Sequence, residues 1–380
     1  MRLFLLTFFV LYGLIHFYVF LKARAAFAFG LRTGLAVALV MVVMIFAPVV
    51  VRQLERSGHE SLAQIVSYVG YVWLGVIFLF ISTSLVLDCY RLVGYLISGF
   101  FSRPLWILSV TPQYAFFIPL AASISIAFYG YFEAKDIRTE TIEIESAKIP
   151  AGIGRLRIVQ ISDVHLGLIV REERLRRILE KVKKAGPDIL VSTGDLVDGQ
   201  INDMSELSGS LSKVSPRYGK YAIFGNHEYY AGIDESTRFT ENAGFSLLRG
   251  QGSEVQGIIN IVGVDDPQGK AFGAYRGGDE AELLSEFPRS KFTLLLKHRP
   301  FVNKGSLGLF DLQLSGHVHK GQIFPFSIVT GLYYPIQAGF ASLAGNSKIY
   351  VSRGSGTWGP PIRFLSPPEV TVIDLVHKKD

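Results

Sequence analysis

The stretch LRIVQISDVHLG, residues 156–167, decides how the rest of the chain is read. Residues 156–161 are a strand-like apolar run, and Asp163 and His165 follow it two positions apart. Residues so spaced on an extended chain face the same side, so one carboxylate and one imidazole can meet one metal ion. Asp-x-His alone is a weak signal. It gains weight from four later blocks, GDLVDG (194–199), GNHE (225–228), KHRP (297–300) and GHVH (316–319), each of which comes after an apolar run.

Five of the eight histidines sit in these blocks: His165, His227, His298, His317 and His319. Structural histidines would be scattered without regard to Asp, Asn and Gly, whereas each of these has a compact polar, loop-forming context. A dinuclear site needs a carboxylate that bridges two ions, with imidazole and oxygen ligands that leave positions open for water and substrate. Asp195 is the natural bridge, because Gly194 and Gly199 let the backbone turn tightly after a buried strand. Taken singly, GDLVDG is equally an ordinary turn. Asn226 offers a neutral amide oxygen, and His317 and His319 can reach neighbouring ions while Val318 turns away.

Outward from these blocks, the 380-residue chain changes character near residue 133. Residues 1–132 read as a membrane region, with near-uncharged runs at 3–21, 33–51, 65–87 and 112–132, each about the length that crosses a bilayer core. The first run is too long for a signal-peptide core, although Ala23-Arg24-Ala25 mimics a cleavage site, so it is expected to stay as an anchor. Residues 88–111, with Arg91 and Arg103 among aromatics and glycines, are expected to be a connection lying in the interface. The formal charge of +6 and pI near 9.2 do not point to nucleic acid. Eight Lys/Arg against three Asp/Glu fall within residues 1–132, so the basic excess belongs to loops beside a membrane. The lone cysteine, Cys89, excludes an internal disulfide and a cysteine metal site.

An even number of spans puts the N-terminus and the C-terminal region on one side. Lys22, Arg24, Arg32, Arg91 and Arg103 fall opposite Arg2, Arg52 and Arg56, which by the positive-inside rule leans towards an extracytoplasmic C-terminal domain. Counting Lys135 and Arg138 makes a tie. From residue 133 to 380, short apolar strands alternate with helices such as the charged segment 171–184, whose Leu175, Ile178, Leu179 and Val182 share a face. Polar motifs that follow strands put ligands on loops at one edge of the sheets.

In this order the blocks DVH, GDLVDG, GNHE, the lone histidine of KHRP and GHVH resemble the calcineurin-like metallophosphoesterase superfamily, from about residue 156 to the C-terminus. The tail GHVHKGQ, with YVSRGSGTWGPPIRFLSPPEVTVIDL, is similar to a bacterial membrane-associated, phosphodiesterase-type branch. The resemblance implies an α/β four-layer (αββα) sandwich of two mixed sheets between helices. It implies one ion on Asp163, His165, Asp195 and His319 and a second on Asp195, Asn226, His298 and His317. His227, paired with Asp198, is implied beside the substrate as a proton donor or a stabiliser of phosphoryl oxygens. Lys320 departs from the branch, where a small residue is commoner; it is either a substrate contact or a solvated surface lysine. Arg353 is either a phosphate grip or half of a structural salt bridge.

Two divalent ions activate water and clamp phosphoryl oxygens in an in-line displacement, so no nucleophilic side chain is required. Mixed nitrogen and oxygen ligands suit manganese, iron or zinc. The expected protein is a membrane-anchored hydrolase of a phosphodiester or pyrophosphate, with a lipid-linked substrate preferred and no nucleic-acid partner. The alternatives are a phosphomonoesterase or nucleotidase on soluble phosphates, and a non-catalytic metal-stabilised interaction module. The uncharged aromatic stretch 323–340 is read either as a lip that admits a lipid head group or as a hairpin packed on the domain.

Overall fold

Four helices open the chain: α1 (Arg2–Phe27), α2 (Leu31–Arg56), α3 (Glu60–Phe101) and α4 (Pro112–Glu133). The computed structural model describes residues 2–101, 110–199 and 204–378. It divides into two units, Met1–Phe132 with Gly359–Ile362, and Glu133–Trp358 with Arg363–Asp380. In the first unit the usual arrangement of side chains is inverted. Leu35, Val86 and Phe128 are 62%, 72% and 69% exposed, while His16, Ser67 and Ser123 are buried. Helices satisfy their own backbone groups, so an apolar exterior of this kind suits hydrocarbon, and all four are long and apolar enough to cross a membrane.

Residues 88–101 do not form the expected connection. They continue α3, since nearly all are compatible with a helix and the charge of Asp88 is met by Lys22 (2.5 Å) and by the Tyr18 hydroxyl (2.6 Å). Residues 102–109 of that expected connection lie outside the described residues. The α1 helix likewise runs past residue 21 to Phe27. His16 is fixed by the Trp73 indole N–H, which donates to its Nε2 at 2.8 Å, and by Tyr12 O at 2.8 Å from its Nδ1.

The second unit is built on two six-stranded sheets. The first is ordered β1 (Arg138–Ser146), β12 (Glu369–His377), β2 (Arg155–Ile161), β3 (Ile189–Ser192), β4 (Lys220–Ala222), β5 (Ser246–Leu247). The second is ordered β10 (Gly339–Ser342), β11 (Lys348–Val351), β9 (Leu312–Ser315), β8 (Phe292–Leu296), β7 (Ile259–Gly263), β6 (Gln251–Val255). Both sheets are mixed: β2, β3, β4 and β5 run parallel with β12 antiparallel to β2, and β7, β8, β9 and β11 run parallel between antiparallel edges.

The period of two along a strand sorts the side chains into separate cores. Ile158, Ile189, Val191, Ile373 and Leu375 face Ile261, Leu294, Leu296, Leu312 and Leu314 between the sheets. Their neighbours Val159, Leu190, Val370 and Val372 turn to the opposite face, where α5 (Glu172–Ala185), α6 (Ser205–Ser212) and α8 (Ile233–Asn242) cover them. The apolar face of α5 is Leu175, Ile178, Leu179 and Val182, and Gly186 ends the helix in the left-handed conformation. Across the second sheet, Val262 and Leu295 pack with Leu284 of α9 (Glu280–Ser285) and with Phe310. The result is a helix, sheet, sheet, helix sandwich. Two short elements complete it: α7 (Asn226–Ala231) and α10 (Phe326–Tyr333).

The centre of the sandwich has no slack for a missing side chain. Leu294→Ala removes a fully buried leucine from between the sheets and should destabilise the second unit by about 2–5 kcal/mol. Chemical denaturation of the full chain, followed by tryptophan fluorescence, reads the shift in midpoint.

Candidate metal centre

The parallel strands deliver the polar blocks to one edge. β2 leads to Asp163 and His165, β3 to Asp195 and Asp198, β4 to Asn226 and His227, β8 to His298, and β9 to His317 and His319. The loop after β2 lies along the loop after β3, with the N–H groups of Asp163, His165 and Leu166 donating to the carbonyls of Gly194, Asp195 and Leu196 at 3.0 Å each. Gln160, buried in β2, donates to Thr193 Oγ1 (2.8 Å) and to Ser315 O (3.1 Å), which ties the edge of one sheet to the other.

Asp163, His165, Asp195, His317 and His319 all have positive φ, at 50°, 54°, 51°, 72° and 49°. A residue with a Cβ costs on the order of 1 kcal/mol or more in that region. Strain repeated at five polar residues on one sheet edge signals side chains aimed for a purpose.

Three groupings of donor atoms result: Asp163, His165 and His319; His165, Asp195 and His227; and Asp195, His298 and His317. His319 Nε2 is 3.4 Å from Asp163 Oδ1 and 3.1 Å from His165 Nε2. Asp195 Oδ2 is 3.2 Å from His298 Nε2 and 3.8 Å from His165 Nε2, so one carboxylate reaches both sides. His298 Nδ1 is 2.8 Å from Thr193 O, which can only accept, so Nδ1 carries a proton. Burial disfavours a second proton on His298, but Asp195 outweighs it and raises the ring to about 10, so Nε2 is the atom that a cation in the cluster would have to deprotonate.

The electrostatics suit a cation. Burial, with His227 next, lowers His165 to about 4, and burial with charged neighbours holds His317 and His319 well below the ordinary histidine value. These rings are therefore neutral at pH 7 and offer lone pairs. Burial opposes charging of Asp195, but His298 and His227 outweigh it and keep its pKa well below the usual carboxylate value. Buried Asn226 Oδ1 and His165 Nδ1 make no hydrogen bond among the described residues. An orphaned amide oxygen beside neutral imidazoles and a carboxylate is a donor set that fits divalent transition metals.

His227 stands at the rim. Its Nδ1 is 2.8 Å from Asp198 Oδ1, and its backbone N–H donates to Asp195 Oδ1 at 2.9 Å. Burial disfavours its charge, but Asp195 and then Asp198 more than compensate and raise it to about 9. Cations in the cluster would offset that carboxylate field and bring the value down. Trp358 and Tyr230, 51% and 41% exposed, stand edge-on to its ring.

Lys320 is exposed, and its φ of 50° continues the left-handed backbone of His319. The Arg353 guanidinium lies 2.7 Å from Glu369 and also bonds Glu140, so of its two readings this geometry supplies the salt bridge. Two residues escaped the sequence reading. Glu228 accepts from the N–H groups of Gly225 (2.7 Å), Asp195 (3.0 Å) and Leu196 (2.6 Å), clamping the Asp195 loop to the start of α7; its position three residues into GNHE is a helix-capping signal. Arg363 is fully buried, donating to the carbonyls of Gly356 (2.6 Å) and Ser366 (3.1 Å) and to His319 Nδ1 (3.0 Å). Nothing in PPIR distinguishes it from a surface arginine.

The calcineurin-like phosphoesterase family matches residues 156–321. An uncharacterized metallophosphoesterase of Aquifex aeolicus (strain VF5) is 38% identical over 257 residues, 67% of this chain and 98% of its own length. One from Campylobacter jejuni is 35% identical over 245 residues, covering 64% of this chain and 65% of its own. A transmembrane protein with metallophosphoesterase domain from Danio rerio is 30% identical over 322 residues, 81% of this chain and 73% of its own.

Gly316 leaves no room for a side chain, because a Cβ there would lie 2.0 Å from Ser162 Oγ and 2.1 Å from Asp163 Oδ2. Gly316→Ala should displace Asp163 and lower metal affinity by about tenfold or more while far-ultraviolet circular dichroism stays unchanged. Isothermal titration with manganese checks it.

Proposed function

We propose, from the premise that this chain belongs to the calcineurin-like metallophosphoesterases and is a metal-dependent phosphoester hydrolase, that its site holds two divalent cations and cleaves a phosphodiester or pyrophosphate. Asp163, His165, Asp195 and His319 would hold one cation, and Asp195, Asn226, His298 and His317 the other. The observation that carries this reading is the shared carboxylate: Asp195 belongs to two of the donor groupings and Oδ2 approaches an imidazole on each side. Manganese, iron and zinc all suit the ligands.

When bound, such cations supply charge to the phosphoryl oxygens and acidify a water nucleophile. The chain's own part is to fix ligands and manage a proton. Asp198 holds the Nδ1–H of His227, which leaves Nε2 as the ring atom that hands a proton to the leaving oxygen or hydrogen-bonds a phosphoryl oxygen. Thr193 O orients His298 through Nδ1. His319 is instead set by the Arg363 guanidinium, whose charge would balance imidazolate character in a ligating ring.

In this reading residues 1–132 are a multi-pass membrane region and 133–380 the catalytic domain, on the extracytoplasmic side towards which the basic residues of 1–132 lean before Lys135 and Arg138 are counted. The four apolar helices and the Danio rerio relative's name support the membrane assignment. A lipid-linked phosphoester is the substrate class that best uses such attachment. A polar cavity of about 260 Å³ reaches His298; Asp265, Asp266, Asp279 and Glu280 line it beside Lys297 and Arg299, which are paired with Glu280 (2.6 Å) and Asp266 (2.7 Å), so the charge that would hold a phosphate is left to the metal centre.

The test is hydrolysis of bis(p-nitrophenyl) phosphate and p-nitrophenyl phosphate by the purified chain, after chelation and with manganese restored. Metal-dependent cleavage of the diester is expected; cleavage of the monoester alone would favour a phosphatase. Asp195→Asn should abolish turnover and weaken metal binding. His227→Ala should slow turnover by about 10²–10⁴-fold with metal retained, and loss of metal instead would make His227 a ligand.

A further inference from the structure

Residues 323–340 do not form a hairpin: their centre is α10, an eight-residue helix with no buried residue. Phe326, Ile328, Val329, Leu332 and Tyr333 are 44%, 61%, 56%, 85% and 66% exposed, and the whole stretch carries no charged residue. A contiguous apolar surface of this kind is a contact surface. It is also pinned to the metal centre at both ends. At its start, a Cβ on Gly321, two residues after His319, would lie 2.4 Å from Ser327 N, so the helix packs directly on that ligand loop. At its end, the Tyr334 ring is 5.6 Å from the ring of His317 and 4.9 Å from that of Phe301, which also meets Tyr333.

We infer that α10 is an interfacial helix that inserts its apolar side chains into a lipid surface and passes the phosphoester of a membrane-resident amphiphile to the metal centre. The inference rests on the membrane-anchored diesterase reading above. Lipid is the occupant favoured because the same chain carries four helices long and apolar enough to span a bilayer. They would keep the second unit near a membrane at high effective concentration. Tyr333, 66% exposed at the end of α10, is of a residue type that settles at the boundary of water and hydrocarbon. Phe301 joins the two halves of such a substrate's path: it touches Tyr333 and Tyr334 and also lines the polar cavity at His298.

The test uses the full chain, one copy per nanodisc, with Cys89→Ser so that Leu332→Cys takes a single environment-sensitive nitrobenzoxadiazole label. Lys183→Cys on α5, an exposed residue, is the control. The label at 332 should emit blue-shifted and be quenched by doxyl-lipids, and the label at 183 should not. Val329→Asp with Leu332→Asp should cut turnover of hexadecyl p-nitrophenyl phosphate in the disc about tenfold or more and leave that of soluble bis(p-nitrophenyl) phosphate unchanged. Water-like, unquenched emission at 332 overturns the insertion whatever turnover does, and equal losses on both substrates overturn delivery from the membrane. A shift that appears only when discs hold two chains would assign the surface to a second copy. Quenching without turnover of either substrate by the parent chain would leave the insertion standing and remove the enzymatic reading.

Discussion

Asp195 is buried with Oδ2 3.2 Å from His298 and 3.8 Å from His165, while Oδ1 accepts the N–H of His227. A buried carboxylate is expensive unless paired, and Asp195 is paired with the charged rings of His298 and His227 beside the neutral His165. Much of the surrounding structure serves to keep it in position. Glu228 fixes its loop through three backbone N–H groups, although burial, with Asp195 next, raises the pKa of Glu228 to about 7. Divalent cations would relieve both acids together, so the metal belongs to the stability of this edge as well as to its chemistry.

The sandwich explains why these ligands meet. Parallel strands end on the same edge, so five polar blocks spread over residues 163–319 converge without long loops. The cost is the left-handed backbone at five of the donors, offset by the two cores on either side of the first sheet. Arg363 and Gln160 add buried hydrogen bonds that hold the turns in place. Rigid positioning of this kind is what phosphoryl transfer needs, since its barrier falls mainly through alignment and charge stabilisation.

Much of this was legible from residue order. The motifs are local, and the short apolar runs of β2, β3 and β8 mark buried strands, so the α/β class and the convergence of DVH, GDLVDG, GNHE, KHRP and GHVH follow from the chain itself. Long-range pairing was not legible: β1 lies parallel to β12 across 231 positions, from Arg138↔Glu369 onward, and neither segment signals the other. Residues 88–101 were read as a connection because charges stand there among aromatics and glycines, whereas Lys22 and Tyr18, some seventy residues away, meet Asp88 within a longer α3. The stretch 323–340 was ambiguous because β-branched and aromatic residues suit a strand and an exposed interfacial helix equally. Arg363 was invisible because its importance lies in carbonyls brought round it by the fold.

The measurement that bears most directly on the account is electron paramagnetic resonance of the metal-depleted full chain titrated with manganese, with bound metal counted in parallel. A carboxylate shared by two sites should give an exchange-coupled spectrum that saturates at two ions per chain. Independent mononuclear signals at saturation, or a plateau at one ion, would contradict a centre organised around Asp195.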